Sequence, residues 1–554
     1  MQKYSSKINI QLIAETLLKS GISNIVISPG SRNGGLTMQF VNDDRFTCYS
    51  VVDERSAGFV ALGMAQKLNE PVVVCCTSGS AAVNYYPAIT EAFYQNVPLV
   101  VLTADRPANY VDLFDGQTIR QENVFEKHVY AGVQLEEEED DATITDNFLK
   151  IKDCMKAVWQ KKGPVHINMP FSEPLYDSIN EKLIDFDKLS LGKPEYPAVD
   201  WDSLLSEASD AKKIMVLVGG QTKDDDLQHY LDKLSEYKNV IILTETTSNL
   251  NLPKGISQID SVLKNISISN YNELKPDLLI TLGQNVISKK IKNFLRENKP
   301  TYHWHVNLYW QPDTYFSLTQ KVYLEAKDFV AAFCKKFEPK NSNYRDLWLL
   351  TNRINADYQN SFMESVVWSD LFVFKTTIEN FPKDVNIHYS NSAVIRYSQL
   401  FNHDASNSVY CNRGTSGIDG STSTAVGHAI KTEEQTILVT GDISFFYDSN
   451  ALWNNYIPAS FRIILVNNGG GNIFKIIPGP SSTNALEKFF ETKHNLTAAH
   501  LAEMFNFEYK KVANKYDLKN YWKEFYTASD RPKILEIDTK MAPNAETLKA
   551  FMSM

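Results

Sequence analysis

Apolar positions along the chain fall into two recurring patterns. Residues 7–20 carry Ile10, Ile13, Ala14, Leu17 and Leu18, the spacing of one helical face, and Gly21 follows as a stop. Unbroken apolar runs then alternate with stretches of that kind. "NIVIS", "TCYSVV", "PVVVCC" and "PLVVLTA" predict strands that end at "PGSR", "DER", "TSGSA" and "DRP", with helices to about Leu68 and Tyr94 between them; "GPVHINMP" closes this block. Short runs apolar on both sides suit strands buried on both faces, and their alternation with helices predicts parallel sheets flanked by helices. A second block, roughly 200–335, repeats the pattern in "KIMVLVGG", "NVIILTE", "PDLLITLG" and "TYHWHVNL". A third, about 351–554, holds "TILVTGD" and "FRIILVNN". Residues 178–200 and 336–350 read as linkers. The predicted fold is therefore α/β with three domains, 1–180, 181–345 and 346–554, each a mainly parallel sheet flanked by helices.

Composition narrows the class. The chain has 554 residues, 43% apolar and 22% charged, with net charge −10 and no basic arm, which argues against nucleic acid as a partner. Six cysteines without a C-x-x-C pair fit a reducing compartment. The opening "MQKYSSKINI" lacks the apolar core of a signal peptide, and no run approaches the ~20 apolar residues of a membrane span. A cytoplasmic protein without an integral membrane segment is expected. The stretch "EEEEDD" (136–141) reads as solvated surface.

Two strand ends carry candidate chemistry. "TGD" (440–442) and "NNGGGN" (467–472) place Asp442 and Asn468 where parallel sheets bind ligands, outside the carboxyl ends of strands. A crossover helix, about Asp448–Tyr456, would set the two strands side by side. An Asp carboxylate, an Asn amide oxygen and a Gly carbonyl are hard ligands suited to magnesium shared with phosphate oxygens. The glycines permit close approach, and a helix N-terminus adds amide donors. The local reading is a metal-bridged diphosphate; the alternative is an ordinary βαβ unit with a glycine-rich turn. No G-K-[ST] sequence supports a Walker A site, and "GG" at 219–220 lacks dinucleotide spacing.

Independent stretches favour the first reading. "GDISFFYDSNALWNNYIPASFRIILVNN" resembles the thiamine diphosphate motif, and "VVDERSAGFVALGMA" is similar to the pyrimidine-binding domain of that superfamily. Together with "PGSR", "TSGSAAVNYYPAITEA", "LTADRP", "QTIRQ", "GPVHINMPFSEPLY" and "NRGTSGIDG", they resemble the 2-succinyl-5-enolpyruvyl-6-hydroxy-3-cyclohexene-1-carboxylate synthases of menaquinone biosynthesis. The likeness runs end to end, but the middle block matches mainly by length and expected fold.

The resemblance implies thiamine diphosphate with Mg2+, Mn2+ being a substitute, held through Asp442, Asn468 and Gly470. It implies cofactor contacts from Gly441, Ile443, Ser444, Asn472 and Ile473, with Ile418 under the bent cofactor and Ser392 nearby. Glu54 matches the glutamate that bonds the aminopyrimidine, and to act at neutral pH it should be desolvated; taken alone, it would be read as a surface glutamate at a helix start. The implied reaction is decarboxylation of 2-oxoglutarate and 1,4-addition of the succinyl carbanion to isochorismate.

Both substrates are carboxylates, which guanidinium groups bind bidentately. Ser31, Arg32, Arg106, Gln117, Lys289 and Lys290 match family substrate-site positions, with Arg32, Arg106, Gln117 and Lys289 expected towards isochorismate. Ser392, Arg396 and Arg413 match positions towards the oxoglutarate-derived group, the two arginines as catalytic residues. Taken singly, each arginine would be read as a surface ion pair. Ile473, Phe474 and Ile477 would wall the site against water, or simply form the packed face of a helix. Gly116 and Lys290 depart from the family pattern. The absence of adjacent histidines favours carboligation over simple decarboxylation; another thiamine diphosphate ligase or 2-oxo acid decarboxylase is the alternative. The resemblance also implies a homodimer, and from it a tetramer.

Overall fold

The structure is a computed structural model that describes residues 3–187, 189–264, 271–477 and 479–553. A short antiparallel pair joins β1 (Tyr4–Ser5) to β8 (Ser178–Ile179). All other strands lie in three parallel sheets.

The first sheet contains β2 (Asn24–Ile27), β3 (Thr47–Ser50), β4 (Val72–Cys76), β5 (Leu99–Asp105), β6 (Gly132–Gln134) and β7 (Val165–Pro170), ordered β3-β2-β4-β5-β7-β6. The second contains β9 (Ile214–Val218), β10 (Val240–Leu243), β11 (Leu278–Leu282), β12 (Tyr302–Val306) and β13 (Gln320–Val322), ordered β10-β9-β11-β12-β13. The third contains β14 (Asn386–Tyr389), β15 (Ser408–Cys411), β16 (Thr436–Gly441), β17 (Arg462–Asn467), β18 (Glu508–Val512) and β19 (Lys533–Asp538), ordered β15-β14-β16-β17-β19-β18. Central strands β4, β5, β9, β11 and β17 are buried along their whole length, as strands covered by helices on both faces must be.

The first and third sheets share a core. Phe59, Val60 and Met64 of the helix Glu54–Leu68 pack in one cluster with Ala425 and Val426 of the helix Ser421–Ile430. These helices touch backbone to backbone: a Cβ on Gly63 would lie 2.0 Å from the Thr424 carbonyl oxygen, and one on Gly427 2.0 Å from that of Val60. Away from this contact, Glu91 is buried and accepts the N–H groups of Gly414 and Thr415, each at 2.7 Å.

Four local readings are corrected. The helix expected to run unbroken to Tyr94 is two pieces, Ser80–Asn84 and Tyr86–Gln95; Pro87 has no N–H to donate and interrupts the ladder. The stretch read as a linker at 336–350 already begins the helix Tyr344–Ser365, whose Tyr344 and Trp348, one turn apart, are buried against the second sheet. The acidic stretch is not merely solvated. Glu137 accepts the Ser172 hydroxyl at 2.6 Å, and Glu139 accepts the Ile8 N–H at 2.9 Å. The crossover after β16 is not a helix over 448–456: helix Asp442–Tyr447 starts directly at the strand end and a 3-10 turn, Ser449–Leu452, follows. Asp448 divides them because its buried carboxylate caps the helix Ser421–Ile430, accepting Ser423 N–H at 2.7 Å and its hydroxyl at 2.8 Å. Burial pushes that carboxyl up to about 7.

Candidate active site

Strands β16 and β17 are parallel neighbours, with Gly441 opposite Val466, so Asp442 and Asn468 emerge side by side at the carboxyl edge of the third sheet. The Asp442 side chain is buried and its orientation is fixed by backbone donors. Oδ2 accepts Gly469 N–H at 2.7 Å and Gly470 N–H at 3.0 Å, while Oδ1 accepts Ile443 N–H at 2.7 Å. Gly469 and Gly470 adopt φ of +80° and +151°, and a Cβ at Gly470 would stand 2.6 Å from the Glu491 carbonyl oxygen. Only glycine permits this turn.

Asn468 donates from Nδ2 to Asp370 Oδ2 at 2.8 Å, leaving its Oδ1 buried without a hydrogen-bond partner among the described residues. Burial pushes the Asp370 carboxyl up to about 6. A buried amide oxygen without a donor, beside a carboxylate with spare acceptor capacity, is a donor set suited to a hard divalent cation. The Gly470 carbonyl accepts Asn472 N–H at 2.9 Å, and Asn472 in turn donates its side-chain amide to the Asn468 carbonyl at 3.1 Å.

The loop carrying Arg413 and Ile418 is tied to this edge. Ser444 donates its hydroxyl to the Ile418 carbonyl at 2.6 Å. Arg413 Nη1 donates to Asn391 Oδ1 at 2.7 Å. Ser392 holds φ +69° at the start of the short helix Ala393–Ser398, on which Arg396 lies. Half-buried Ile473 and Phe474 form the short helix Ile473–Ile476, with Ile477 at its end and the Phe474 ring 5.5 Å from that of Phe490.

The second sheet contributes a partner cluster. Glu245 is buried and accepts Ile287 N–H at 2.6 Å and Ser288 N–H at 2.7 Å, fixing the turn before the helix Lys289–Glu297. Burial pushes its carboxyl up to about 7. Lys290 donates to the Asp260 carbonyl at 3.0 Å, and burial lowers its ammonium. Lys292 is lowered too, by burial first and also by Arg413 and Arg396. Lys289 is exposed. Burial and then Arg413 lower Arg396, so these cations share one region.

In the first sheet, Arg32 is buried at the end of β2, where Nη1 donates to the Phe171 carbonyl at 2.7 Å and lies 3.4 Å from Glu173. Burial, then Arg106, lowers its guanidinium. Arg106 lies 3.9 Å from Asp115. Exposed Gln117, at φ +57°, passes over Gly79, and Ser31 is exposed beside Arg32. Arg32, Arg106, Arg396 and Arg413 each keep a buried Nε without an acceptor among the described residues, as does Arg55, which lies over the Tyr447 ring.

Glu54 opens its helix behind the Asp53 cap, which accepts Arg55 N–H at 2.9 Å and Ser56 N–H at 3.2 Å. It is half-buried, and no hydrogen bond among the described residues reaches its carboxylate. Nor does any hydrogen bond or ion pair among the described residues join Glu54, Ser31, Arg32, Arg106 or Gln117 to the Asp442–Asn468 edge. The residues on either side of Glu54 do reach the crossover after β16 in the third sheet: Arg55 donates to the Tyr447 carbonyl at 2.8 Å and Asn450 to Asp53 Oδ2 at 2.6 Å.

Sequence reasoning missed Asp370, Glu245, Asn391, Lys292 and Glu91. Asp370 follows Ser369 in a helix-start pattern, and the others carry no motif; each acts on a residue remote in sequence.

Comparison with known proteins follows the same lines. Residues 10–131 match the family model described as thiamine pyrophosphate enzyme, N-terminal TPP binding domain. The 2-succinyl-5-enolpyruvyl-6-hydroxy-3-cyclohexene-1-carboxylate synthase of Flavobacterium psychrophilum is 45% identical over 513 residues, covering 91% of this chain and 91% of its own. That of Flavobacterium johnsoniae is 43% identical over 544 residues, 98% of each chain. That of Christiangramia forsetii is 40% identical over 574 residues, 100% of this chain and 99% of its own.

Proposed function

The chain belongs to the 2-succinyl-5-enolpyruvyl-6-hydroxy-3-cyclohexene-1-carboxylate synthase family, and from that premise we propose that it decarboxylates 2-oxoglutarate and adds the succinyl unit 1,4 to isochorismate. The observation that carries the substrate reading is four arginines, Arg32, Arg106, Arg396 and Arg413, whose buried, acceptor-free Nε groups fall in two neighbouring pairs, burial and then Arg106 lowering Arg32, burial and then Arg413 lowering Arg396; a fifth such arginine, Arg55, is stacked on Tyr447 instead. A buried donor without a partner is costly, and a planar guanidinium fork is suited to a carboxylate. Two polycarboxylate substrates would use all four.

Thiamine diphosphate, when bound, supplies a nucleophilic carbon and a sink for the electron pair left by CO2. Asp442 and Asn468, with the Gly470 carbonyl, would hold Mg2+ or Mn2+ against its diphosphate. Gly441, Ile443, Ser444 and Asn472 frame that edge, and Ile418 would support the bent cofactor from below. Arg396 and Arg413, with Ser392, would take the carboxylates of the oxoglutarate-derived group. Arg32, Arg106, Gln117 and Ser31, with Lys289 and Lys290, would collect isochorismate. Ile473, Phe474 and Ile477 would exclude water from the reacting carbons. Glu54 would hold a proton against the cofactor's pyrimidine nitrogen.

The half-buried Glu54, without a partner of its own, supports a homodimer in which the first domain of one copy completes the third-domain edge of the other, with a tetramer built from such dimers. Three domains, 1–180, 181–345 and 346–554, the last boundary falling inside the helix Tyr344–Ser365 whose first turns pack on the second sheet, and a cytoplasmic location complete the reading; among the described residues no helix is long and apolar enough to cross a membrane. The test is an assay with both substrates and with each omitted in turn. CO2 release that needs 2-oxoglutarate, with product that needs isochorismate, is expected. Turnover of pyruvate without either would assign the chain to another thiamine diphosphate chemistry.

A further inference from the structure

We propose that His494 is a positioning residue for the Asp442–Asn468 anchor, holding the Asp442 carboxylate through its Nε2–H. The inference rests on reading that edge as a metal-and-diphosphate site. His494 Nδ1 accepts the Leu496 N–H at 3.1 Å, so the neutral ring carries its proton on Nε2. Nε2 lies 3.3 Å from Asp442 Oδ2, buried, off the line of a hydrogen bond and without another acceptor among the described residues.

The ring is held in place from two other directions. The His494 backbone N–H donates to the Gly469 carbonyl at 3.0 Å, and the ring meets Phe446 edge-on at 5.6 Å. Three residues earlier, the Glu491 carbonyl accepts Gly471 N–H at 2.7 Å. Residues 491–494 thus clasp both the glycine turn and the carboxylate it carries.

The acceptor geometry of Asp442 shows what this does. A carboxylate offers about four lone-pair sites. Oδ2 already takes two glycine N–H groups, its full share, and the facing Nε2–H attracts it electrostatically and keeps it turned to the glycine side; Oδ1 takes only Ile443. The remaining acceptor site is then on Oδ1, which, with the donor-free Oδ1 of Asn468, gives the cation two hard oxygens in fixed orientation. Outer partners of metal-binding carboxylates act in this way.

The test is calorimetric titration of thiamine diphosphate into the full-length protein at several Mg2+ concentrations. His494→Phe keeps the ring packing but has no N–H. His494→Asn can still accept from Leu496 but does not reach Asp442. His494→Gln places an amide N–H near the Nε2 position. We expect H494F and H494N to weaken Mg2+-dependent binding about 10- to 100-fold, H494Q to stay near wild type, and the cofactor-free Tm to be unchanged. If H494F lowers that Tm, H494N decides. Wild-type affinity in H494F and H494N overturns the proposal, as does an H494Q as weak as H494F. Asp442→Ala is the control: binding equal to wild type there would overturn the anchor reading itself.

Discussion

Asp370 holds Asn468 by its amide hydrogen at 2.8 Å, and so determines which face of that amide is left to act as an acceptor. Asp370 is itself held by the Thr539 hydroxyl at 2.6 Å, so the orientation is passed from the end of β19 to the end of β17. Removing the carboxylate frees the amide to flip and offer N–H groups where an oxygen is required. We predict that Asp370→Ala weakens Mg2+-dependent thiamine diphosphate binding by about 10- to 100-fold. Calorimetry with and without Mg2+ checks it; an unchanged metal dependence would show that Asn468 needs no orienting partner.

Glu54→Gln should separate binding from chemistry. The amide retains a polar contact but cannot hold or release a proton. We predict near-normal cofactor affinity with turnover lowered roughly a hundred- to ten-thousand-fold. Parallel binding and steady-state measurements decide, and wild-type turnover would remove Glu54 from the reaction.

Glu245 should give the fold a pH signature. Burial holds its carboxyl up at about 7, above the ordinary 4.5. Between those values the folded state keeps a proton that the unfolded chain has released. The stability from this group is therefore fully present below pH 4.5 and is lost as pH rises through 7. Glu245→Gln cannot titrate. We predict that the stability gap between wild type and E245Q narrows by roughly 1 to 3 kcal/mol from pH 5 to pH 8, at no more than about 1.4 kcal/mol per pH unit. Urea denaturation at four pH values measures it, and a constant gap would contradict the assignment.

The backbone contact between the helices Glu54–Leu68 and Ser421–Ile430 leaves no room for a methyl group. We predict that Gly63→Ala costs about 3 kcal/mol or more, at the upper end for overpacking, because a carbonyl cannot move aside as a flexible side chain can. Gly427→Ala should behave alike, and the double variant should lose less than the sum, since both force the same helices apart. Thermal unfolding of the three variants tests this; full additivity would mean the two glycines act separately.

Much of this architecture is legible in the chain because a parallel strand buried on both faces must be continuously apolar, and its polar terminus then marks a ligand edge. "TILVTGD" and "FRIILVNN" show both features, and β16 and β17 lie side by side as their crossover requires. What could not be read depends on distant partners. The crossover breaks at Asp448 because of Ser423, and the donor-free Oδ1 of Asn468 depends on Asp370, 98 positions away. Short edge strands β6 and β13 have too few apolar residues to stand out. The half-burial of Glu54 is likewise set by the packing around it, and no local pattern encodes it.

The glycine contact also has a consequence for how the chain is made. Gly63 and Gly427 belong to one core, yet about 360 residues separate them. At roughly 5–20 residues per second, a ribosome would take on the order of 20 to 70 seconds to deliver the second helix after the first. Through that interval the apolar face of Phe59, Val60 and Met64 waits uncovered, while the middle sheet has its own separate core and can close early. The nascent amino-terminal domain therefore carries this apolar face uncovered until its carboxyl-terminal counterpart emerges.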